Sequence, residues 1–354
     1  MQLASVEVIP YALPFKAPYV TARGVLERRE MVLLRIRDVD GVGGLGEAVP
    51  LSLRGGVGLA EVVAELEGWA KEQGNAGLSA PSLCAVTTAE ADLLGRRQGD
   101  RGLGEGEAVP CNATLVAGEP KAVAADAERW AQDGFTTFKL KLGAESVKTL
   151  PEEGFSQTRD DVEQVRAVRE AVGPEARIRV DVNAAWDLET AKKYLGELEP
   201  FGIELAEQPV GTLEEMAELA AATSIPLAAD ECVPSLAQAE RAASMGACSY
   251  TGIKLSKVGG PEAALAIADV LPAFITSALD GPVGIAAAAQ TALSLAETTH
   301  PERLHLAHGL ATQRLFAETI ASVQCELRNG LLHLPPGPGL GIEIDEEALQ
   351  AHRI

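Results

Sequence analysis

Three short apolar runs, Ile178-Arg179-Val180-Asp181, Ile203-Glu204-Leu205-Ala206-Glu207 and Leu227-Ala228-Ala229-Asp230, each end on a carboxylate. The carboxylates lie 26 and then 23 residues apart (181 to 207 to 230), about one strand-plus-helix unit each. Strands that alternate with helices at this period imply a parallel sheet with right-handed crossovers. The same texture extends outward from Val109 to about Leu315. The strands expected are Val109–Thr114, Thr137–Leu142, Ile178–Val182, Ile203–Ala206, Leu227–Ala229, Gly252–Leu255, Ala273–Thr276 and Leu304–His308. Helix starts fall between them. Thr158 precedes Val162, Val165, Val168 and Val172, Thr212-x-x-Glu215 and Ser235 open two more, and Gly259-Gly260-Pro261 sets up another. Eight strands over this span predict an α/β fold of the (β/α)8 type, a modified TIM barrel, with the modification expected at the weak last strand.

The first hundred residues read differently. Val6–Leu13 and Met31–Val39 are expected strands, and Leu59–Glu72 and Thr87–Arg97 carry helical spacing. A glycine-rich joint, Gly102–Gly106, leads into the barrel. The division expected is an α+β domain over 1–105, the barrel over 106–320, and an extended segment over 321–354 that returns to the first domain.

The residues that carry chemistry converge on one end of the barrel. Lys139 and Lys141 are two apart in an expected strand, so they share a face. Two ammonium groups indoors need either carboxylate compensation or lowered pKa values, and a lowered value suits a base. Asp181, Glu207 and Asp230 stand at the C-terminal ends of three successive strands, the face where barrel active sites lie. Converging carboxylates repel one another, so a cation is expected between them; an all-oxygen donor set selects a hard ion, Mg²⁺ or Mn²⁺. Lys254 ends the next strand, 24 residues after Asp230, across the pocket from Lys139 and Lys141. A metal flanked by amines suits abstraction of a proton beside a bound carboxylate, through an enediolate.

In this order the residues resemble the enolase superfamily, in its muconate-lactonizing-type subgroup. Lys139-Leu140-Lys141, Asp181-Val182-Asn183, Glu207-Gln208-Pro209, Asp230-Glu231 and Lys254 through Gly260 match its motifs over nearly the whole chain. The resemblance implies an α+β capping domain, built from the N-terminal region and the C-terminal tail, over the barrel. It implies a divalent metal on Asp181, Glu207 and Asp230, with Lys141 as the principal acid/base. Lys139 would tune Lys141, and Lys254 would be a second amine or an electrostatic stabiliser. Within the subgroup, Ile275 to Ile285 looks most like o-succinylbenzoate synthases, a lyase step of menaquinone biosynthesis. There the strand end and the following helix start receive a succinyl carboxylate, which assigns Thr276, Ser277 and Gly284, with Asn183, to substrate. Racemisation of N-succinyl- or other N-acylamino acids uses the same lysines and stays open, as does another epimerase or cycloisomerase reaction of the same subgroup. A dipeptide epimerase would carry an Asp-x-Asp pair near here, where this chain has only Asp280. The segment Gly143–Thr158 is longer than the family pattern. Arg23, in a cap loop that could close over substrate, reads as a solvated side chain, with a substrate carboxylate as the alternative contact.

Composition sets the outer bounds. The chain of 354 residues carries 30 Lys and Arg against 51 Asp and Glu, a net charge of −21. That charge opposes nucleic acid and anionic membrane surfaces. It sits awkwardly with the small carboxylate partner that the resemblance implies, so the local field of the metal and the three lysines must dominate over screened surface charge. Self-association into a homo-oligomer stays open. Glu262 and Asp269 interrupt the most apolar long stretch, Pro261–Leu279. Five scattered cysteines, none spaced C-x-x-C, point to a reducing, cytoplasmic setting. Gly41 to Gly46 fits G-x-G-x-x-G, but Pro50 blocks the helix that a dinucleotide site needs, so a glycine turn between strands is expected. His305, His308 and Cys232 read as ordinary structure.

Overall fold

A computed structural model describes residues 2–21, 24–52, 55–104, 106–143, 161–296 and 306–354. Arg23, His305 and nearly all of Gly143–Thr158 lie outside the described residues.

The N-terminal region pairs β1 (Leu3–Thr21), β2 (Gly24–Asp38) and β3 (Gly43–Ala48) in an antiparallel sheet. The apolar run of β2 is continuous because the strand is covered on both faces. Met31 and Leu33 enter the main core, whereas Val32, Leu34 and Ile36 enter a second core under α1 (Leu59–Glu72) and α2 (Ala80–Gln98). The glycine run predicted to be a turn also has a packing task. A Cβ at Gly44 or Gly46 would stand 2.2 Å from the Ala89 carbonyl oxygen or 1.9 Å from that of Ala85, so the glycines let α2 rest on the β3 backbone. The second helix starts at Ala80 rather than Thr87, with Pro81 in its first turn where a missing N–H costs nothing.

The first barrel strand is not the continuous Val109–Thr114 expected. β4 (Ala108–Pro110) leaves the barrel to pair with the C-terminal segment, and β5 (Ala113–Leu115) opens the parallel sheet. It continues through α3 (Pro120–Gln132), β6 (Thr137–Lys141), α4 (Asp161–Val172), β7 (Arg177–Asp181), α5 (Leu188–Leu198) and β8 (Ile203–Glu207). Then follow α6 (Leu213–Ala220), β9 (Leu227–Ala229), α7 (Leu236–Met245), β10 (Tyr250–Ile253), α8 (Leu255–Val258), α9 (Pro261–Val270), β11 (Ala273–Ile275) and α10 (Pro282–Ala296). Thr212 and Glu215 form the reciprocal cap read from the sequence, and Ser235 caps α7. Seven strands hydrogen-bond in the order β5 to β11.

Of the expected last strand, Leu304 and His305 lie outside the described residues; among the described ones, His308 and Gly309 occupy the eighth position as two bridges. Asn112 N donates to His308 O at 2.9 Å on one side, and Ser277 N donates to Gly309 O at 3.0 Å on the other. The His308 ring is part of this closure: Nδ1 accepts from Ile275 N at 3.0 Å, and burial, with Arg179 nearby, pushes its pKa down to about 3. Beneath the mouth, Arg179 is fully buried, with its guanidinium 5.0 Å from the Phe274 ring and bonded to Glu204 and the Ala307 carbonyl. The interior is thus a filled core, not a pore.

After Ile320 the chain forms β12 (Ala321–Val323), the hairpin β13 (Glu326–Arg328) and β14 (Leu331–His333), then β15 (Glu343–Ile344) and α11 (Glu346–His352). β14 pairs with β4 and β12 with β15. Its last residue, Ile354, donates to the carbonyl of Pro10 in β1 at 3.2 Å.

Candidate active site

Strand register builds the site. In the parallel pairing, Lys141 stands opposite Asp181 and Asp181 opposite Glu207, so the charged ends of β6, β7 and β8 form one row. Asp230 follows β9 directly, and Lys254 is the residue between β10 and α8. All three carboxylates are buried, at 1% exposure or less.

Each carboxylate carries an ammonium group. Lys139 Nζ lies 2.8 Å from Asp181 and 2.7 Å from Glu207. Lys141 Nζ lies 2.5 Å from Asp181 and 2.8 Å from Asn183 Oδ1. Lys254 pairs with Asp230 Oδ2, and Lys257 approaches Asp230 Oδ1 at 3.1 Å. Of the two alternatives open to buried lysines, compensation wins at Lys139. Burial pulls its pKa down, but Asp181 and Glu207 outweigh it and hold the ammonium above its ordinary value. Burial would raise Asp181, yet Lys139 and Lys141 keep it well below the usual carboxylate range.

Accessibility separates the two lysines of β6. The Lys141 side chain is 29% exposed and that of Lys139 8%. Lys141 therefore stands at the mouth and Lys139 beneath it. Backbone strain holds the neighbours. Asn183, Ala184 and Gln208 have positive φ values of 49°, 60° and 41°. Asn183 joins Lys141 to Glu231, donating to Glu231 Oε1 at 3.1 Å. Gln208 Oε1 accepts from the backbone N–H groups of Asp230 and Cys232 at 2.9 and 3.1 Å, which ties the ends of β8 and β9 together.

Among the described residues, no three His, Cys, Asp or Glu side chains stand close enough together to hold an ion. The donor chemistry nonetheless fits a hard cation, since all three are carboxylates and Glu207 Oε1 is buried without a hydrogen-bond partner.

The turn after β11 differs from the reading above. Ser277 Oγ donates to Asp280 Oδ2 at 2.6 Å and accepts from Leu279 N and Asp280 N, each at 3.0 Å, so its hydroxyl is spent inside the turn. Thr276 is buried and its hydroxyl points at the Ile253 carbonyl at 3.4 Å. At the start of α10, Gly281 N donates to Glu47 Oε1 at 2.6 Å, and the Gly284 N–H also serves this carboxylate. Of the donors assigned to a substrate carboxylate, the helix-start N–H groups are thus taken by a side chain of the N-terminal sheet, while the Ser277 and Thr276 hydroxyls are turned to Asp280 and to the Ile253 carbonyl. Glu47 was legible only as a lone acid in the apolar run Leu45 to Pro50. Lys257 was within reach, three residues after Lys254 on one turn of helix.

These features define a class: a (β/α)8-type barrel with a strand-rich cap, whose strand ends bear carboxylates paired with lysines. The enolase C-terminal domain-like family matches residues 122–348, and the chain belongs to the enolase superfamily, in its muconate-lactonizing-type subgroup. It is 38% identical to the o-succinylbenzoate synthase of Thermobifida fusca over 59% of this chain, a match that spans 61% of that relative's length. It is 28% identical to muconate cycloisomerase 1 of Acinetobacter baylyi over 99% of each chain. The L-Ala-D/L-Glu epimerase of Bacillus subtilis superposes with a TM-score of 0.84 at 26% identity, covering 97% of this chain and 99% of that one.

Proposed function

We propose that the protein is a metal-dependent o-succinylbenzoate synthase-type lyase. It would dehydrate 2-succinyl-6-hydroxy-2,4-cyclohexadiene-1-carboxylate to o-succinylbenzoate. The observation that carries this reading is the contrast on β6: a half-buried Lys141 at the mouth above a buried Lys139 that both carboxylates hold charged. Asp181, Glu207 and Asp230 would hold Mg²⁺ or Mn²⁺, which when bound withdraws charge from the substrate carboxylate and eases loss of the adjacent proton. Lys141 would take that proton, with Asn183 and Asp181 aiming its Nζ. The ammonium so formed can return the proton to the departing hydroxyl, so water leaves without any further reactant. Lys254, four strand positions from Lys141 in an eight-position ring, faces the developing negative charge from the other side. The Thermobifida fusca relative, 38% identical over 59% of this chain, is of this type and supports the reading.

The opposition of Lys141 and Lys254 also favours a second reading, a racemase of N-acylamino acids with one lysine on each face of the α-carbon. Loss of cyclohexadiene absorbance by purified protein with Mg²⁺, repeated with EDTA, separates the two. Rapid, EDTA-sensitive loss supports the lyase. No loss, with solvent deuterium entering N-succinylamino acids from both enantiomers, supports the racemase.

A further inference from the structure

Glu47 lies 234 residues from the turn it serves, yet it is 2% exposed and fully engaged there. Its Oε1 accepts from Gly281 N at 2.6 Å, and its Oε2 accepts from the Tyr11 hydroxyl at 2.7 Å. The two glycines at the start of α10 form its seat. A Cβ at Gly284 would stand 2.6 Å from Glu47 Oε1, and one at Gly281 would stand 2.7 Å from Oε2 and 2.2 Å from the Tyr11 hydroxyl. Free N–H groups at a helix start favour an acceptor of this kind. Arg29 completes the clamp by donating to the carbonyls of Pro50, at 2.7 Å, and Ala278, at 3.2 Å, one on each side of the junction. The clamped segment continues β11, whose Ile275 pairs with Ile253, the residue before Lys254.

We infer that Glu47 is a positioning residue: from the cap it seats the start of α10 and fixes the turn Ser277–Gly284 as the wall of the site beside Lys254. The seating is independent of the reaction; that the far end of the substrate lies against this wall rests on the proposed lyase reading. The group acts through shape and through the oxygen that accepts from Gly281 N. An amide keeps that oxygen and can donate its NH2 to the Tyr11 hydroxyl, which then donates to Met31 Sδ, so an amide can replace it and a methyl group cannot.

The test is hydrogen exchange by mass spectrometry on the full-length protein with Mg²⁺, together with kinetics on the cyclohexadiene substrate. In Glu47→Ala, exchange in peptides covering 278–286 should rise about tenfold while peptides from β7 and β8 stay as in the wild type; in Glu47→Gln it should stay within about threefold. On the lyase reading, Glu47→Ala raises KM about fivefold or more with kcat within about threefold, and Glu47→Gln restores KM. Unchanged exchange in Glu47→Ala overturns the inference. Should exchange rise throughout the barrel, Tyr11→Phe decides: acceleration confined to 278–286 supports the seat, and any other result overturns it. Absence of turnover in the wild type alongside localised exchange in Glu47→Ala would remove the lyase reading and leave the positioning role standing.

Discussion

The barrel mouth holds two sets of buried carboxylates, one at the ends of β7 and β8 and one beyond β11, and their surroundings differ. At β7 and β8, Asp181 and Glu207 face lysine ammonium groups, and Asp181 is held well below the ordinary carboxylate range. Beyond β11, Glu47 and Asp280 face a phenol, a hydroxyl and backbone N–H groups. Burial first, and Asp280 second, lift Glu47 to about 7. Full charges on one side hold Asp181 ionised, although burial and the neighbouring Asp181 lift Glu207. On the other side burial leads at both Glu47 and Asp280, and the one cation acting there among the described residues, Arg29, works on Asp280. The first set is therefore built to hold and move charge, and the second to join two parts of the chain.

Removing the charged group at the mouth gives the largest expected effect. Lys141→Ala should lower kcat by about 10³-fold while the protein stays folded, because the proton acceptor is lost but Lys139 still compensates Asp181. Full turnover in that variant would end the reading of the first set as catalytic. Lys139→Met tests compensation instead. It leaves Asp181 and Glu207 facing each other with one ammonium fewer, and should cost about 3–5 kcal/mol in urea unfolding without metal. Adding Mg²⁺ should recover more stability in this variant than in the wild type, since an ion that binds only the folded state stabilises by mass action.

The two sets also differed in how far the sequence revealed them. Asp181, Glu207, Asp230 and Lys254 each close an apolar run at one period, so strand spacing alone brings them to one face. The Glu47 seat has no such period. It joins β3 to α10 through two glycines whose importance is the atom they lack, and nothing local at Gly281 or Gly284 announces an incoming carboxylate. The same limit explains the last barrel position, where among the described residues closure rests on two bridges at His308 and Gly309. It also explains β4, which looked continuous with β5 because its partner β14 lies more than two hundred residues away.

A pH series on Glu47→Gln probes the second set. In the folded protein Glu47 is raised from 4.5 to about 7. Its contribution is thus fully present below its unfolded value and is lost as pH rises through the folded one, by up to about 3 kcal/mol. Wild type should lose stability relative to Glu47→Gln between pH 5 and 8, read as the difference in unfolding free energy in urea. Parallel curves for the two proteins would mean that the seat holds an ordinary carboxylate and that the contrast between the two sets is one of position only.

The smallest effect expected is the most local. Ser277→Ala removes the hydroxyl that accepts from Leu279 N and Asp280 N and donates to Asp280 Oδ2. Loss of a cap of this kind costs about 1 kcal/mol, which thermal unfolding can resolve. KM should change by less than about twofold, because the hydroxyl is spent inside the turn and has no donor left for a substrate oxygen. A tenfold rise in KM with unchanged stability would reverse that assignment: Ser277 would then turn its hydroxyl to the substrate when it binds, and the wall of the site would be a reactive surface rather than a support held by Glu47.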